Sequence, residues 1–423
     1  MKRSTERILT THVGSLVRTP EILQGIKAQV LNRAYDSEQF AIDVRNGIME
    51  VVRKQAEIGI AIPSDGEFGR QGFRGYVNAR LGGIVPREFH PGEDPWQNTD
   101  AQEQPSFPEF FAQYYTHYRY LWMPPEVSLG DVPNRPGNYQ RYRVTGPITY
   151  TGQPQIQHEI TTLKAALAGH NFVDAFIPAD VPTGRIDDDD ILSFYPSKQA
   201  FLYAVADALH AEYKAIADAG LLVQLDLAAL NPNRRMLLTD GPLTPAEVQK
   251  GIEQGVEIIN HALRDVPEEH VRYHHCWGSM NHPHTQDAPL RSILPLMFKI
   301  RAQAYVIEAA NPRHEHEWMV WKDVKLPDGK ILIPGIISHQ TNVVEHPELV
   351  AWRITNFANV VGKENLIAGV DCGFSQYWDS IRVHPSVQWA KLKALVDGAA
   401  LASAALWGRR DAVVAARAPA LSS

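Results

Sequence analysis

The 423-residue chain has two cysteines, Cys276 and Cys372. Two are too few for a disulfide framework, and they fit a reducing compartment. No apolar run approaches the roughly 20 residues that cross a bilayer. The opening stretch "MKRSTERILTTHVGS" also lacks the apolar core of a secretory signal. The expected location is therefore the cytoplasm, with no membrane as partner. Charge of one sign is scarce: 41 Lys and Arg face 48 Asp and Glu, a net charge of −7 without a basic block. That argues against nucleic acid as a partner. No fixed-period repeat is present, and the glycine fingerprint of a dinucleotide-binding fold is missing. The remainder is an ordinary globular composition, 44% hydrophobic and 21% charged.

Short apolar, β-branched runs alternate with long amphipathic stretches. The expected strands are 11–15, 58–65, 142–149, 221–227, 271–276, 304–310, 332–339 and 366–373. A ninth run, "FVDAFIPA" (172–179), sits beside prolines and reads as an excursion. Helical spacing marks 38–57, 198–219, 244–259 and 346–362, with Thr244-Pro245 as a cap and first turn. Eight strand–helix units predict a (β/α)₈ TIM barrel, one catalytic domain over 1–423. Residues 86–140, rich in Pro, Gln, Tyr and Trp, read as a long insertion after the second unit, and 408–423 as a tail.

In such a barrel, chemistry collects where the strands end. Here they end in Gly14-Ser15, Asp65-Gly66-Glu67, Thr145-Gly146, Asp226, His274-His275-Cys276, Glu308, His339 and Asp371-Cys372. The stretch "VRYHHCWGSMNHPH" (271–284) alone holds four histidines and one cysteine. Residues two apart on a strand face one side, so His274 and Cys276 go together and His275 turns away. With Glu308 and Cys372 from later strand ends they make a Cys₂-His-Glu set of the kind zinc takes. Spacing alone leaves open the reading of both cysteines as ordinary buried thiols. The expected role of "NHPH" (281–284), with His282 and His284, is a solvated loop. "HEHE" (314–317), with His314, is expected to be an exposed turn.

The ordered pieces "TTHVGS", "SDGEFGRQGF", "VTGPIT", "VQLD", "HHC" with a glutamate 32 residues beyond the cysteine, "GIISHQTNVVE" and "GVDCG" carry a family resemblance. Over about 10–375 the chain resembles the catalytic domain of cobalamin-independent methionine synthase and its short single-domain relatives. These share a barrel with uroporphyrinogen decarboxylase. The resemblance implies His274, Cys276, Glu308 and Cys372 as zinc ligands. It implies Ser15, with the backbone at Val13 and Gly14, as the holder of a homocysteine carboxylate. Glu67 and Asp226 would hold its amino group, and His339 would donate a proton. The implied function is a zinc-dependent methyl or alkyl transfer to a small thiol activated as a thiolate. The partners are the thiol and an alkyl donor, with a folate among the donors the resemblance allows. An oligomer is allowed and not specified.

One departure bears on the donor. After Asp226 the synthase continues Glu-Pro-Ala, whereas this chain reads "LAALNPNRR". That difference weighs against a folate. An epoxyalkane:coenzyme M transferase-like thiol alkylation and a non-catalytic zinc- or thiol-binding protein are the alternatives.

Overall fold

A computed structural model of the chain describes residues 1–408 apart from 74, 89, 91–102, 115–140, 183–185, 187, 227–229, 231–243, 280 and 379. Its strands are β1 (Leu9–Thr10), β2 (Leu81–Arg87), β3 (Arg141–Tyr150), β4 (Phe176–Asp180), β5 (Leu222–Asp226), β6 (Val271–His275), β7 (Ala304–Ile307), β8 (Ile331–Ile337), β9 (Ile367–Val370), β10 (Ser375–Tyr377) and β11 (Ser380–Ile381). The helices are α1 (Pro20–Val30), α2 (Ser37–Ile58), α3 (Pro108–Gln113), α4 (Gln153–Leu167) and α5 (Asp188–Leu192). They continue as α6 (Lys198–Asp218), α7 (Pro245–Ala262), α8 (Leu290–Met297), α9 (Pro347–Val361) and α10 (Pro385–Leu406).

Seven strands form one parallel sheet in the order β1-β9-β8-β7-β6-β5-β4. Their residues are buried throughout, as expected for strands covered on both faces. Alternation sorts them into two cores. Leu9, Phe176, Leu222, Val306, Ile333 and Ile367 belong to an inner cluster. Val223, Tyr273, Ile307, Leu332, Ala368 and Val370 pack outward into the larger core shared with the helices. Helix signals act where the sequence places them. Thr244 and Glu247 form a reciprocal capping box on α7, and Gly59 closes α2 in the left-handed region.

Three expectations change. The 142–149 run lies in β3, which pairs antiparallel with β2 in a separate hairpin. Its alternating exposure marks a ribbon with one face open. The 172–179 run supplies β4, an edge strand of the main sheet. Pro178 has no backbone N–H to donate, which an edge position tolerates. The excursion therefore includes both hairpin strands as well as the described part of 86–140. The 58–65 run forms no named strand. Segment 60–63 nevertheless meets both edges of the sheet. Ile62 N donates to Thr10 O (3.0 Å), and Phe176 N donates to Pro63 O (3.0 Å). The result is a curled parallel half-barrel of seven strands, compatible with a TIM-barrel-like arrangement. The tail beyond 408 and much of the insertion lie outside the described residues.

A buried polar network ties the hairpin to the helical layer. Arg80 donates to Glu212 (2.8 Å) and to Glu159, and Arg70 donates to Glu159 (2.7 Å). Tyr76 and Tyr150 both donate to Glu212, at 2.9 and 2.6 Å. Burial raises the Glu159 pKa, but Arg70 and Arg80 outweigh it and bring it down to about 2. Its contribution to stability is full above the ordinary value of 4.5 and is lost as the pH falls toward about 2. Glu212→Ala would leave a buried guanidinium and two hydroxyls short of a partner. The expected cost is about 3–5 kcal/mol, seen as a lower urea midpoint. A midpoint unchanged from wild type would show that the network does not anchor the hairpin.

Candidate active site

Thr145 and Gly146 lie within hairpin strand β3, away from the main sheet, while His274, Cys276, Glu308, His339 and Cys372 come together at its strand ends. β5 and β6 are in register with Asp226 opposite His274, and His274 Nδ1 lies 2.9 Å from Asp226 Oδ1. The carboxylate accepts, so Nδ1 carries the proton and Nε2 is the ring atom left to coordinate. In this structure Nε2 lies 3.2 Å from the Asp371 carbonyl oxygen. Burial lowers the His274 pKa, but the Asp226 hydrogen bond and charge outweigh it and raise it overall. His275 faces the outer core, edge-on to Trp277 with ring centroids 4.9 Å apart.

Ligand atoms of His274, Cys276 and Cys372 all lie within 4.8 Å of one another. Those of Glu308, His339 and Cys372 do so as well. Cys372 is thus shared by both groups. The Cys372 thiol is pushed well above its usual range. Its hydrogen bond with Cys276 comes first, then burial and the charges of Cys276 and Glu308. A divalent cation would relieve that repulsion. Thiols, an imidazole held by a carboxylate and a further carboxylate are the donors zinc prefers, so the set fits this metal.

Asp371 shapes the neighbourhood of Glu308. Its Oδ1 accepts from the backbone N–H of Ala309 and Ala310, both at 2.8 Å, and Asn311 Nδ2 donates to Glu308 Oε2 (3.2 Å). Burial raises the Asp371 pKa to about 6 against those two amides. On the other flank, His339 Nε2 lies 2.7 Å from Ser279 Oγ, and Gln376 Nε2 donates to Cys372 Sγ (2.9 Å).

The expected substrate-binding residues are tied to one another and to the Cys372 turn. Gln224 Nε2 donates both to Asp226 Oδ1 (2.9 Å) and to the Val13 carbonyl, tying Asp226 to the Val13–Ser15 turn. Gly14 has φ +143°, and a Cβ there would sit 2.6 Å from Glu67 Oε1, so only glycine lets the two segments approach. A Cβ at Gly373 would sit 2.0 Å from Ser15 Oγ, which places Ser15 against the Cys372 turn. Glu67 holds a left-handed φ of +59°, rare for a non-glycine residue. It is 2% exposed, and its Oε2 has no hydrogen-bond partner among the described residues. Burial raises its pKa to about 8, against the pull of Arg70 and with a further push from Asp226.

"NHPH" is half-buried, and "HEHE" buries His314 and Glu317 while His316 stays exposed. The Glu103 carboxylate, from the insertion, is 3% exposed and gathers the loop after β6. It accepts from His282 Nδ1 (2.7 Å), His284 N (3.2 Å), Thr285 N, Thr285 Oγ1 (2.9 Å) and Gln286 N (3.2 Å). His314 and Glu317 lie three apart on a 3₁₀ turn, which puts both on one face. His314 Nδ1 meets Glu317 (2.8 Å), its Nε2 meets Asp287 (3.1 Å), and Trp277 stacks on the ring at 3.8 Å. Carboxylates on both nitrogens require both to be donors, and the two acids outweigh burial to raise the His314 pKa. Ser279, Gln376 and Glu103 carry no spacing signal that would single them out. Of the aromatic residues in the insertion, Tyr114 is fully buried, whereas Trp96, Tyr115, Tyr118, Tyr120 and Trp122 lie outside the described residues. Glu103→Ala should speed amide exchange at His284, Thr285 and Gln286 in hydrogen-exchange mass spectrometry. Wild-type protection in that variant would refute the clamp.

No protein-family model matches the chain. Two relatives from Bacillus subtilis (strain 168) run nearly its whole length. The uncharacterized protein YxjH is 23% identical, covering 91% of this chain and 92% of its own. The uncharacterized protein YxjG is 22% identical, covering 94% and 95%. Among solved structures, a B12-independent methionine synthase from Shewanella sp. W3-18-1, in complex with selenomethionine, superposes with a TM-score of 0.65. It is 17% identical and covers 95% of this chain and 99% of its own. A Listeria monocytogenes structure assigned to the vitamin-B12-independent methionine synthases gives 0.59 at 20% identity, covering 93% and 98%. The structural neighbours of the chain are thus B12-independent methionine synthases, whose fold it shares and whose motifs it resembles.

Proposed function

We propose that the chain is a zinc-dependent alkyltransferase that methylates or alkylates a small amino-acid thiol of the homocysteine type. It would work in a reducing cytoplasm, on a barrel that segment 60–63 completes. The observation that carries this reading is the meeting of His274, Cys276 and Cys372 within 4.8 Å, with Glu308 and His339 grouped on the same Cys372. His274, Cys276, Glu308 and Cys372 are the proposed ligands. When bound, zinc supplies the positive charge that holds a substrate sulfur as thiolate, the nucleophilic form.

The remaining work falls to the protein. Ser15 and the backbone at Val13 and Gly14 receive the substrate carboxylate, and Glu67 and Asp226 receive its ammonium. Burial, then Arg382, holds the His339 pKa well below its ordinary range, so the free protein carries a neutral ring. A neutral imidazole can accept the proton that the incoming thiol loses. It can then pass that proton to the leaving group of the alkyl donor as negative charge develops there. The loop after β6, held by Glu103, keeps water from this point. A sulfonate thiol would meet two carboxyl groups in place of cations, which favours the amino-acid thiol.

Metal analysis with zinc-edge absorption spectroscopy tests the core of the proposal. Adding homocysteine should produce a new zinc–sulfur bond, and no change with any small thiol would sink it. Cys276→Ser should lose zinc and activity together, and a variant that keeps both in full would remove Cys276 from the site. Proton linkage tests the ammonium site. Because Glu67 rests near a pKa of about 8, ammonium binding should favour its carboxylate and release a proton at pH 7. Calorimetry in buffers of different ionisation enthalpy should find about one proton more released on binding in wild type than in Glu67→Gln. Equal release in both would assign the linkage elsewhere.

A further inference from the structure

Ser279 lies on the loop after β6, 6% exposed, and belongs to none of the groups assigned so far. Its Oγ is 2.7 Å from His339 Nε2 and accepts from Gln376 Nε2. The same Gln376 nitrogen donates to Cys372 Sγ at 2.9 Å, and Ser279 is itself a hydrogen-bond partner of Cys372. A hydroxyl has one proton and two lone pairs, and here it has three claimants. A metal-bound Cys372 is a thiolate and only accepts. One arrangement then satisfies every group. Ser279 donates to Cys372 Sγ, and its lone pairs accept from Gln376 Nε2–H and from His339 Nε2–H. That fixes the His339 tautomer. Nδ1 becomes the open ring atom, and it has no hydrogen-bond partner among the described residues.

We propose that Ser279 is a positioning residue that couples Cys372 to His339. It holds the ligand sulfur in place and sets which nitrogen of His339 faces the substrate. The inference rests on the metal reading above and deepens it. Gln376 has a separable share, because it supplies the second N–H to Cys372 without touching His339.

The test uses zinc-loaded full-length protein and reads zinc affinity by chelator competition and the His339 ring nitrogens by ¹⁵N NMR. Ser279→Ala should weaken zinc binding about tenfold, the usual cost of an outer hydrogen bond to a ligand. It should also convert His339 from a single Nε2–H form to a mixture of tautomers. Ser279→Thr, which keeps the hydroxyl, should restore both. Gln376→Leu should weaken zinc comparably and leave the His339 tautomer intact, which gives a readout even if Ser279→Ala folds poorly. Wild-type zinc affinity and an unchanged ring spectrum in Ser279→Ala would overturn the proposal, as would failure of the wild-type chain to bind zinc. If these shifts occur while no thiol is alkylated, the role of Ser279 stands and the transferase reading falls.

Discussion

A single hydrogen bond, from His274 Nδ1 to Asp226 Oδ1, joins the two halves of the site, and the register of β5 against β6 makes it. Both residues point into a space that the inner core has already dried, where an unpaired ionisable group is costly. They therefore satisfy each other. The bond leaves His274 Nε2 as the nitrogen able to coordinate. Asp226 in turn accepts from Gln224, whose second N–H reaches the Val13 carbonyl. A slip of one residue in this register would put His274 in the outer core and His275 at the sulfurs. The proposed metal side and the proposed substrate side thus depend on the same strand pairing.

The loop after β6 would be free to move if only its own residues held it. Two devices prevent that. Glu103 reaches in from the insertion and takes five hydrogen bonds from 282–286, a dense use of one carboxylate. On the other side, Trp277 stacks on His314, which is pinned between Asp287 and Glu317. Trp277 follows Cys276 directly. Stiffness at that position keeps the cysteine backbone from drifting, and Ser279 inherits the same stiffness two residues on. The insertion, in its described part, is therefore a wall of the site.

Strand alternation made the metal-ligand candidates legible in the sequence. It selected His274 with Cys276 and set His275 aside, because the side-chain period in a strand is fixed by covalent geometry. Partners that come from distant segments were not legible. Glu103 meets residues about 180 positions away, and no local pattern announces such a contact. The 172–179 and 142–149 runs exchanged roles for a related reason. Both have the composition of strands, and only tertiary pairing decides which one enters the main sheet. "HEHE" misled because a helical period of three hides two buried residues in a sequence that looks polar throughout.

Glu67 brings these constraints to bear on substrate choice. A glutamate with left-handed φ, buried and carrying one unbonded oxygen, costs stability in the free protein. Local packing alone gives no compensation, since Gly14 had to lose its side chain to admit it. Asp226 stands near enough to raise its pKa further. A buried acid whose ionisation is disfavoured is stabilised in its charged form by a cation placed beside it. In the proposed reaction a substrate ammonium would supply that charge, whereas a thiol without an amine would not. Selectivity for amino-acid thiols would then come from the cost of leaving Glu67 unpartnered more than from the strength of any one contact. The proposed sulfur chemistry and amine recognition would then be joined through Asp226, which serves His274 with one oxygen and lies near enough to Glu67 to raise its pKa.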